Sequence, residues 1–244
     1  MKKCEIFAVS DVHGHSSILK KALKDAGFRE NDPTHLLVGL GDYFDRGQEN
    51  ADTLEYLSSI ENKVLVRGNH EDMLLSCIYR GRYGHNEVCN GTDVTLLEFF
   101  GEENVSADGT IIRNEHTEKV KERLIGFINS TVNYFESDNY VFVHGWVPTD
   151  YFDGVETVKP MWRRSTDSDW SRARFLEWNK QYAKGLTIGK TIVCGHRPAA
   201  WGAFIDNTRS FSDSSVFYAD KMIAIDATTV NSGRVNVLRL SDRI

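Results

Sequence analysis

Ile6-Phe7-Ala8-Val9-Ser10-Asp11-Val12-His13-Gly14-His15 passes from an apolar run to metal-binding chemistry within a few residues. The apolar part is short and unbroken, as a strand buried on both faces requires. Ile18, Leu19, Ala22, Leu23 and Ala26 follow at helical spacing, and Gly27 stops the helix. His35-Leu36-Leu37-Val38-Gly39-Leu40 reads as a second buried strand ending in Gly41-Asp42, and Leu54, Leu57 and Ile60 predict another helix. Lys63-Val64-Leu65-Val66 is a third strand, ending in Arg67-Gly68-Asn69-His70. Alternating strands and helices of this kind predict an α/β layer.

Further along, residues 80–118 are rich in Gly, Asn, Glu and Thr and weakly periodic, so an irregular excursion with one short helix near Val94–Phe99 is expected there. A clearer helix is expected over 117–129. Tyr140-Val141-Phe142-Val143 runs into His144-Gly145, and Thr191-Ile192-Val193-Cys194 runs into Gly195-His196. Between them, 149–187 is polar and carries Trp162, Trp170 and Trp178; the spacing of Trp170 and Trp178 fits a helix with its aromatic face inward. Met222–Asp226 and Val235–Leu240 read as a C-terminal hairpin. No repeat or linker interrupts the chain, which predicts one domain over residues 1–244.

Bulk properties exclude several classes. The chain has 244 residues, 41% of them hydrophobic, which is enough for a sizeable core. Its net charge of −6 offers no global basic field for long nucleic acid. No run approaches the ~18 apolar residues of a membrane span, and the N-terminal apolar run is too short for a secretory signal, so a cytoplasmic location is expected. Cys4, Cys77, Cys89 and Cys194 form no C-x-x-C pair, and reduced, mostly buried thiols are expected.

Five predicted strands therefore end in metal-ligand chemistry: Asp11 and His13; Asp42; Asn69 and His70; His144; His196. One histidine after a strand is ordinarily a surface or satisfied core residue. Recurrence at five strand ends points to one site, because such ends converge at one edge of an α/β sheet. Carboxylate, imidazole and amide oxygen without thiolate suit Mn, Fe or Zn. Seven candidate positions exceed what a single tetrahedral ion uses, and one carboxylate shared by two ions accounts for the surplus.

Asp11-Val12-His13-Gly14, Gly41-Asp42-Tyr43-Phe44-Asp45-Arg46-Gly47 and Val66-Arg67-Gly68-Asn69-His70-Glu71 resemble the signature of the calcineurin-like metallophosphoesterases. The nearest branch is the phosphoprotein (Ser/Thr) phosphatases, including the bacteriophage lambda phosphatase, and the later His144-Gly145 and Gly195-His196 follow in the same order. The resemblance implies a mixed α and β fold, with two mixed sheets in a central sandwich flanked by helices. It implies two divalent ions, Mn foremost and Fe or Zn as alternatives, the first held by Asp11, His13 and Asp42. Asp42 would bridge to a second ion held by Asn69, His144 and His196, and a hydroxide between the ions would attack phosphorus in line.

By the same resemblance, His70 is the general acid and Asp45 orients it, while Arg46, Arg67 and Asn69 bind the phosphoryl group. Met161-Trp162-Arg163-Arg164 resembles a W-x-R element that adds a phosphate-binding arginine, Arg164, with Arg163 adjacent. The implied activity is hydrolysis of phosphomonoesters on a phosphoprotein or small phosphate ester. Symmetrical hydrolysis of diadenosine tetraphosphate is the enzyme alternative and a non-catalytic scaffold the remote one. The complete ligand set speaks against the scaffold. Three positions depart from the pattern: Gln48 where relatives carry proline, Arg197 where threonine is common, and Asp226-Ala227-Thr228 in place of D-T-G. Selectivity is expected to reside in 80–118 and 149–187 as walls of a shallow groove.

Overall fold

The computed structural model describes residues 3–207 and 209–244. The first half alternates strand and helix: β1 (Lys3–Val9), α1 (Ser16–Asp25), β2 (His35–Gly39), α2 (Asn50–Ser59), β3 (Lys63–Leu65) and α3 (Asn69–Arg80). Helices α4 (His85–Asn90), α5 (Thr92–Phe100) and α6 (Glu115–Asn129) follow, then β4 (Phe135–Glu136), β5 (Tyr140–Phe142), β6 (Thr149–Phe152) and β7 (Val155–Val158). Next come α7 (Asp167–Arg174), α8 (Trp178–Ala183), β8 (Thr191–Cys194), β9 (Phe217–Ala219), β10 (Met222–Ala224), α9 (Thr229–Ser232) and β11 (Leu238–Arg243).

Two mixed sheets result, in the orders β11-β1-β2-β3 and β4-β5-β8-β10-β9, with β6 and β7 as a separate hairpin. The period-2 alternation of a strand explains how they pack. In β1 and β2, Phe7, Val9 and Leu37 face the helices, where they join Leu19, Leu23, Leu54 and Leu57. Ile6, Ala8, Leu36 and Val38 face the opposite way and meet Phe142, Val193 and Ile223 of the second sheet. The outer face of that sheet, through Val141, Ile192 and Met222, packs against Trp146, Trp162, Trp170 and Trp178. Strands apolar on both faces thus sit between layers on both sides, as the expected sandwich flanked by helices requires.

Three expectations are corrected. The C-terminal strands do not pair with each other: β10 lies beside β8 and β9 in the second sheet, whereas β11 runs antiparallel to β1 in the first, Ala8 opposite Leu238. The hairpin partner of β10 is β9, a three-residue strand too short to show alternation. Residues 80–118 hold two helices, α4 and α5, rather than one. The left-handed Gly91 (φ 79°) ends the first and opens the second; α5 is the helix expected near Val94–Phe99, whereas α4, six residues with only Glu87 buried, has no apolar stripe to reveal it. Finally, the ligand-bearing strand ends come from two sheets, β1, β2 and β3 from one, β5 and β8 from the other. Trp170 and Trp178 are buried in the core as expected, but on two short helices, α7 and α8, and not on one helix face.

Candidate dinuclear metal and phosphate site

Six non-glycine residues of the motif loops have left-handed backbone: Asp11 (φ 52°), His13 (48°), Asp42 (56°), Asp45 (73°), Arg46 (68°) and His196 (65°). Such conformations cost about 1–3 kcal/mol each and persist only where the surroundings enforce them. Here the enforcement is visible. Asp11 N–H donates to Gly41 O at 3.1 Å and His13 N–H to Asp42 O at 3.0 Å, so the first two loops are laced together. Glu71 accepts the N–H groups of Asp42, Tyr43 and Gly68, each at 2.8 Å, which ties in the third loop. A Cβ on Gly68 would overlap Asp42 Oδ1, and one on Gly195 would overlap Ser10 and Asp11, so the loops close only with glycine at both places.

The side chains gather accordingly. His13, Asp42 and His70 bring ligand atoms within 4.8 Å of one another, as do Asp42, His144 and His196, with Asp42 common to both groups. His13 Nδ1 is hydrogen-bonded to Phe44 O at 3.0 Å and His144 Nδ1 to Leu40 O at 2.6 Å, leaving each Nε2 turned to the site. Anchoring the second nitrogen in this way is what orients a metal-ligating imidazole. His144 Nε2 lies 2.8 Å from Asn69 Oδ1 and 3.3 Å from Asp42 Oδ1. His196 Nε2 is buried with no hydrogen-bond partner, an orphan that a metal ion would satisfy. Asp11 approaches the same corner, its Oδ2 accepting His196 N–H at 3.0 Å. The donor set and the orphaned imidazole fit two divalent ions.

Burial pushes the Asp11 carboxyl up to about 6, with Asp42 adding to the effect and His144 opposing it. Burial works the same way on Asp42, yet His144 and His70 overcome it and hold that carboxyl well below its usual range. His196 is driven down to about 3 by burial and by His144, so it remains a neutral imidazole able to donate a lone pair. For His70, burial lowers the pKa, but the carboxylates of Asp42 and Asp45 prevail and raise it, which retains the proton. His70 Nδ1 is 2.7 Å from Asp45 Oδ2. Asp45 in turn accepts Thr92 Oγ1 and Thr95 Oγ1, both at 2.7 Å, from α5.

Arg46 bridges the two imidazoles, NH1 3.0 Å from His13 Nε2 and NH2 3.2 Å from His70 Nε2. It lines a cavity of about 370 Å³ together with Asp11, His13, Asp42, Asn69, His70 and His196. The structure does not bring Arg67 or Arg164 there. Arg67 donates to Thr131 Oγ1 at 3.0 Å and Ile128 O at 2.7 Å, because its strand end points toward the close of α6. Arg164 is exposed on the short helical turn Trp162–Arg164, and Arg163 forks onto Glu136. Sequence reasoning missed the roles of Glu71, Thr92 and Thr95, and it named Asp226 only within the departure from D-T-G, not as a buried residue of the cavity; burial and Asp11 raise its carboxyl well above the usual range. Glu71 stood inside the quoted motif, whereas nothing in the sequence linked the α5 threonines to Asp45. Thr228 adopts φ 55°, so the turn keeps the left-handed backbone that the missing glycine would have served.

A family model described as calcineurin-like phosphoesterase matches residues 5–224, and the chain belongs to that family. It is a hydrolase of phosphate esters with a metal-dependent site. Serine/threonine-protein phosphatase 2 of Escherichia coli (strain K12) is 36% identical over 236 residues, covering 96% of this chain and 92% of that protein. Serine/threonine-protein phosphatase 2 of Salmonella typhimurium (strain LT2) is 27% identical over 243 residues, with 96% and 92% covered. Among solved structures, a candidate diadenosine tetraphosphatase superposes with a TM-score of 0.61 over 98% of this chain and 93% of that one, at 15% identity, which speaks to the fold alone.

Proposed function

We propose that the chain is a phosphomonoesterase of the protein Ser/Thr phosphatase type, with residues 1–244 acting as one domain. The observation that carries this reading is the Asp45–His70 pair beside the shared Asp42, with one guanidinium, Arg46, set between His70 and His13. That arrangement suits a single phosphoryl group and a leaving oxygen that needs a proton. The similarity to two named Ser/Thr phosphatases over nearly the full length of each supports it. The diadenosine tetraphosphate alternative rests on likeness of fold alone.

In this reading Asp11, His13 and Asp42 hold one ion, and Asp42, Asn69, His144 and His196 hold the other. When bound, the ions acidify a water molecule and polarise the phosphoryl group. Asn69 and Arg46 bind the phosphoryl oxygens, the guanidinium by two parallel N–H donors. With Arg46 turned from His70 Nε2 to the phosphoryl oxygens, His70 gives its Nε2 proton to the leaving oxygen, while Asp45 accepts Nδ1–H and stabilises the imidazolium beforehand. Thr92 and Thr95 supply hydroxyl donors that fix the buried Asp45 carboxyl against His70. Manganese is the proposed ion, on oxygen and imidazole donors without thiolate. The four cysteines are free, which supports a reducing, cytoplasmic location.

The deciding experiment is a Mn²⁺-supplemented panel of p-nitrophenyl phosphate, phosphoserine, phosphothreonine and phosphotyrosine peptides, diadenosine tetraphosphate and 5′-phosphorylated RNA. Phosphopeptides are expected to show the higher kcat/KM. A tenfold preference for the dinucleotide, about 1.4 kcal/mol of transition-state discrimination, would move the chain to the alternative.

A further inference from the structure

Beside the catalytic cavity lies a second one of about 380 Å³, and the two share Pro198, Trp201 and Thr228 as a common wall. Large aromatic side chains stand exposed along this face: Phe175 at 55%, Phe204 at 64% and Phe211 at 60%. They are arranged in sequence. The Phe175 ring is 6.1 Å from His196, Trp201 is 6.1 Å from Phe204, and Phe204 meets Phe211 edge to face at 4.8 Å and 70°. Contiguous exposed aromatics on a folded surface mark a contact site rather than a core.

The platform is held in position. Arg209 donates to Asp213 O at 3.0 Å and to Ser215 O, and its guanidinium lies 5.4 Å over the Phe217 ring. Asn236 Nδ2 donates to Ser214 O at 2.7 Å. These bonds fix the chain that carries Phe211. Nearer the site, Arg197 lies 5.3 Å over Trp201 and is ion-paired with Glu177 at 2.8 Å. Trp201 is thereby braced from behind, with its other side left to the groove.

We infer that this groove is a substrate subsite that takes an apolar side chain of a phosphopeptide, close in sequence to the phosphorylated residue because the two cavities share a wall. The inference rests on the protein phosphatase reading above. Continuity with the catalytic cavity makes the occupant part of the same ligand. Phe211 lines the groove, and exposed Phe204 meets its ring edge to face at the margin, which offers a side chain an angled apolar corner and not a flat slot for a base. Ser212, Ser214 and Asn231 at the margin offer polar partners for an extended backbone.

The test uses the manganese-loaded full chain and two phosphothreonine peptides, identical except that Leu and Phe flank the phosphothreonine in one and Ser flanks it in the other. p-Nitrophenyl phosphate, which has no flanks, is the control. Wild type should favour the apolar peptide by about tenfold in kcat/KM, mostly through KM, the order that one buried aliphatic side chain supplies. Phe204→Ser and Phe211→Ser, both at exposed positions, should each erase most of that preference and leave p-nitrophenyl phosphate turnover within about twofold. Equal rates on the two peptides in wild type, or a preference untouched by both variants, would overturn the subsite alone. Turnover of diadenosine tetraphosphate with no turnover of any phosphopeptide would overturn the protein phosphatase reading and the subsite's occupant with it.

Discussion

The two long connections between ligand-bearing strands do opposite things. Residues 80–118 send polar groups inward: Thr92 and Thr95 donate to Asp45, and the backbone at Gly91 packs on Arg46, where a Cβ would clash with the arginine's main chain. Residues 149–187 send their tryptophans away from the site into the outer core, and only Phe175 from this stretch lines the catalytic cavity. One connection braces the proton donor; the other builds the layer on which a wall stands. Both were expected to be substrate walls. What separates them is the polarity of the groups they bury, since a buried hydroxyl must find a partner and a buried indole ring needs mostly volume.

The sharpest test of the first connection is its target. His70→Asn should lower kcat on phosphoserine peptides by roughly 10²–10⁴ with metals still bound. The loss should shrink on p-nitrophenyl phosphate, whose leaving group needs little protonation. Equal losses on both substrates would remove His70 from the role of acid, and the brace would then have nothing to support.

A smaller effect should come from the brace itself. Thr92→Val with Thr95→Val removes both hydroxyl donors from a fully buried carboxylate, at a cost of about 1–3 kcal/mol for each group left short of partners. We expect kcat to fall by about 10–100-fold, less than in His70→Asn, with the same dependence on leaving group, because the change acts through that residue. A loss of stability without that dependence would reduce α5 to scaffolding.

The parts of the molecule legible in the sequence were those whose signal is local. β1, β2 and β5 could be read because runs such as Ile6–Val9 are apolar on both faces. Asp11, His13, Asp42, Asn69, His144 and His196 could be read because each follows such a run. The pairing of β11 with β1 was hidden, since it joins the two ends of the chain and nothing near residue 240 encodes its partner. Glu71 was visible only as a motif letter, because its work is done on backbone N–H groups that have no sequence identity. Arg67 turns to Thr131 and Ile128 instead of the cavity, a direction that adjacency in the motif does not encode.

The second connection has its own test, with the smallest expected effect. The W-x-R resemblance put a phosphate-binding arginine at Arg164, beside Arg163, whereas Arg163 grips Glu136 through Nε at 2.7 Å and NH2 at 2.8 Å. Lys190 adds a contact at 2.8 Å. Together they hold the Glu136 carboxyl down at about 2, Arg163 foremost and Lys190 next, against the opposing pull of burial. A carboxyl lowered on folding stabilises the protein above its unfolded pKa of about 4.3 and loses that contribution as pH falls toward the folded value. Arg163→Ala should therefore cost less than about 1 kcal/mol at pH 7, since the guanidinium is 45% exposed and the pair is screened. Urea denaturation of wild type and variant should show that gap closing as pH drops from about 4.3 toward 2. Inhibition by inorganic phosphate should be unchanged in Arg163→Ala and in Arg164→Ala, and clearly weakened in Arg46→Ala. If either of the first two variants weakened phosphate binding as much as Arg46→Ala, residues 149–187 would reach the phosphoryl group after all, and the division of labour between the two connections would fail.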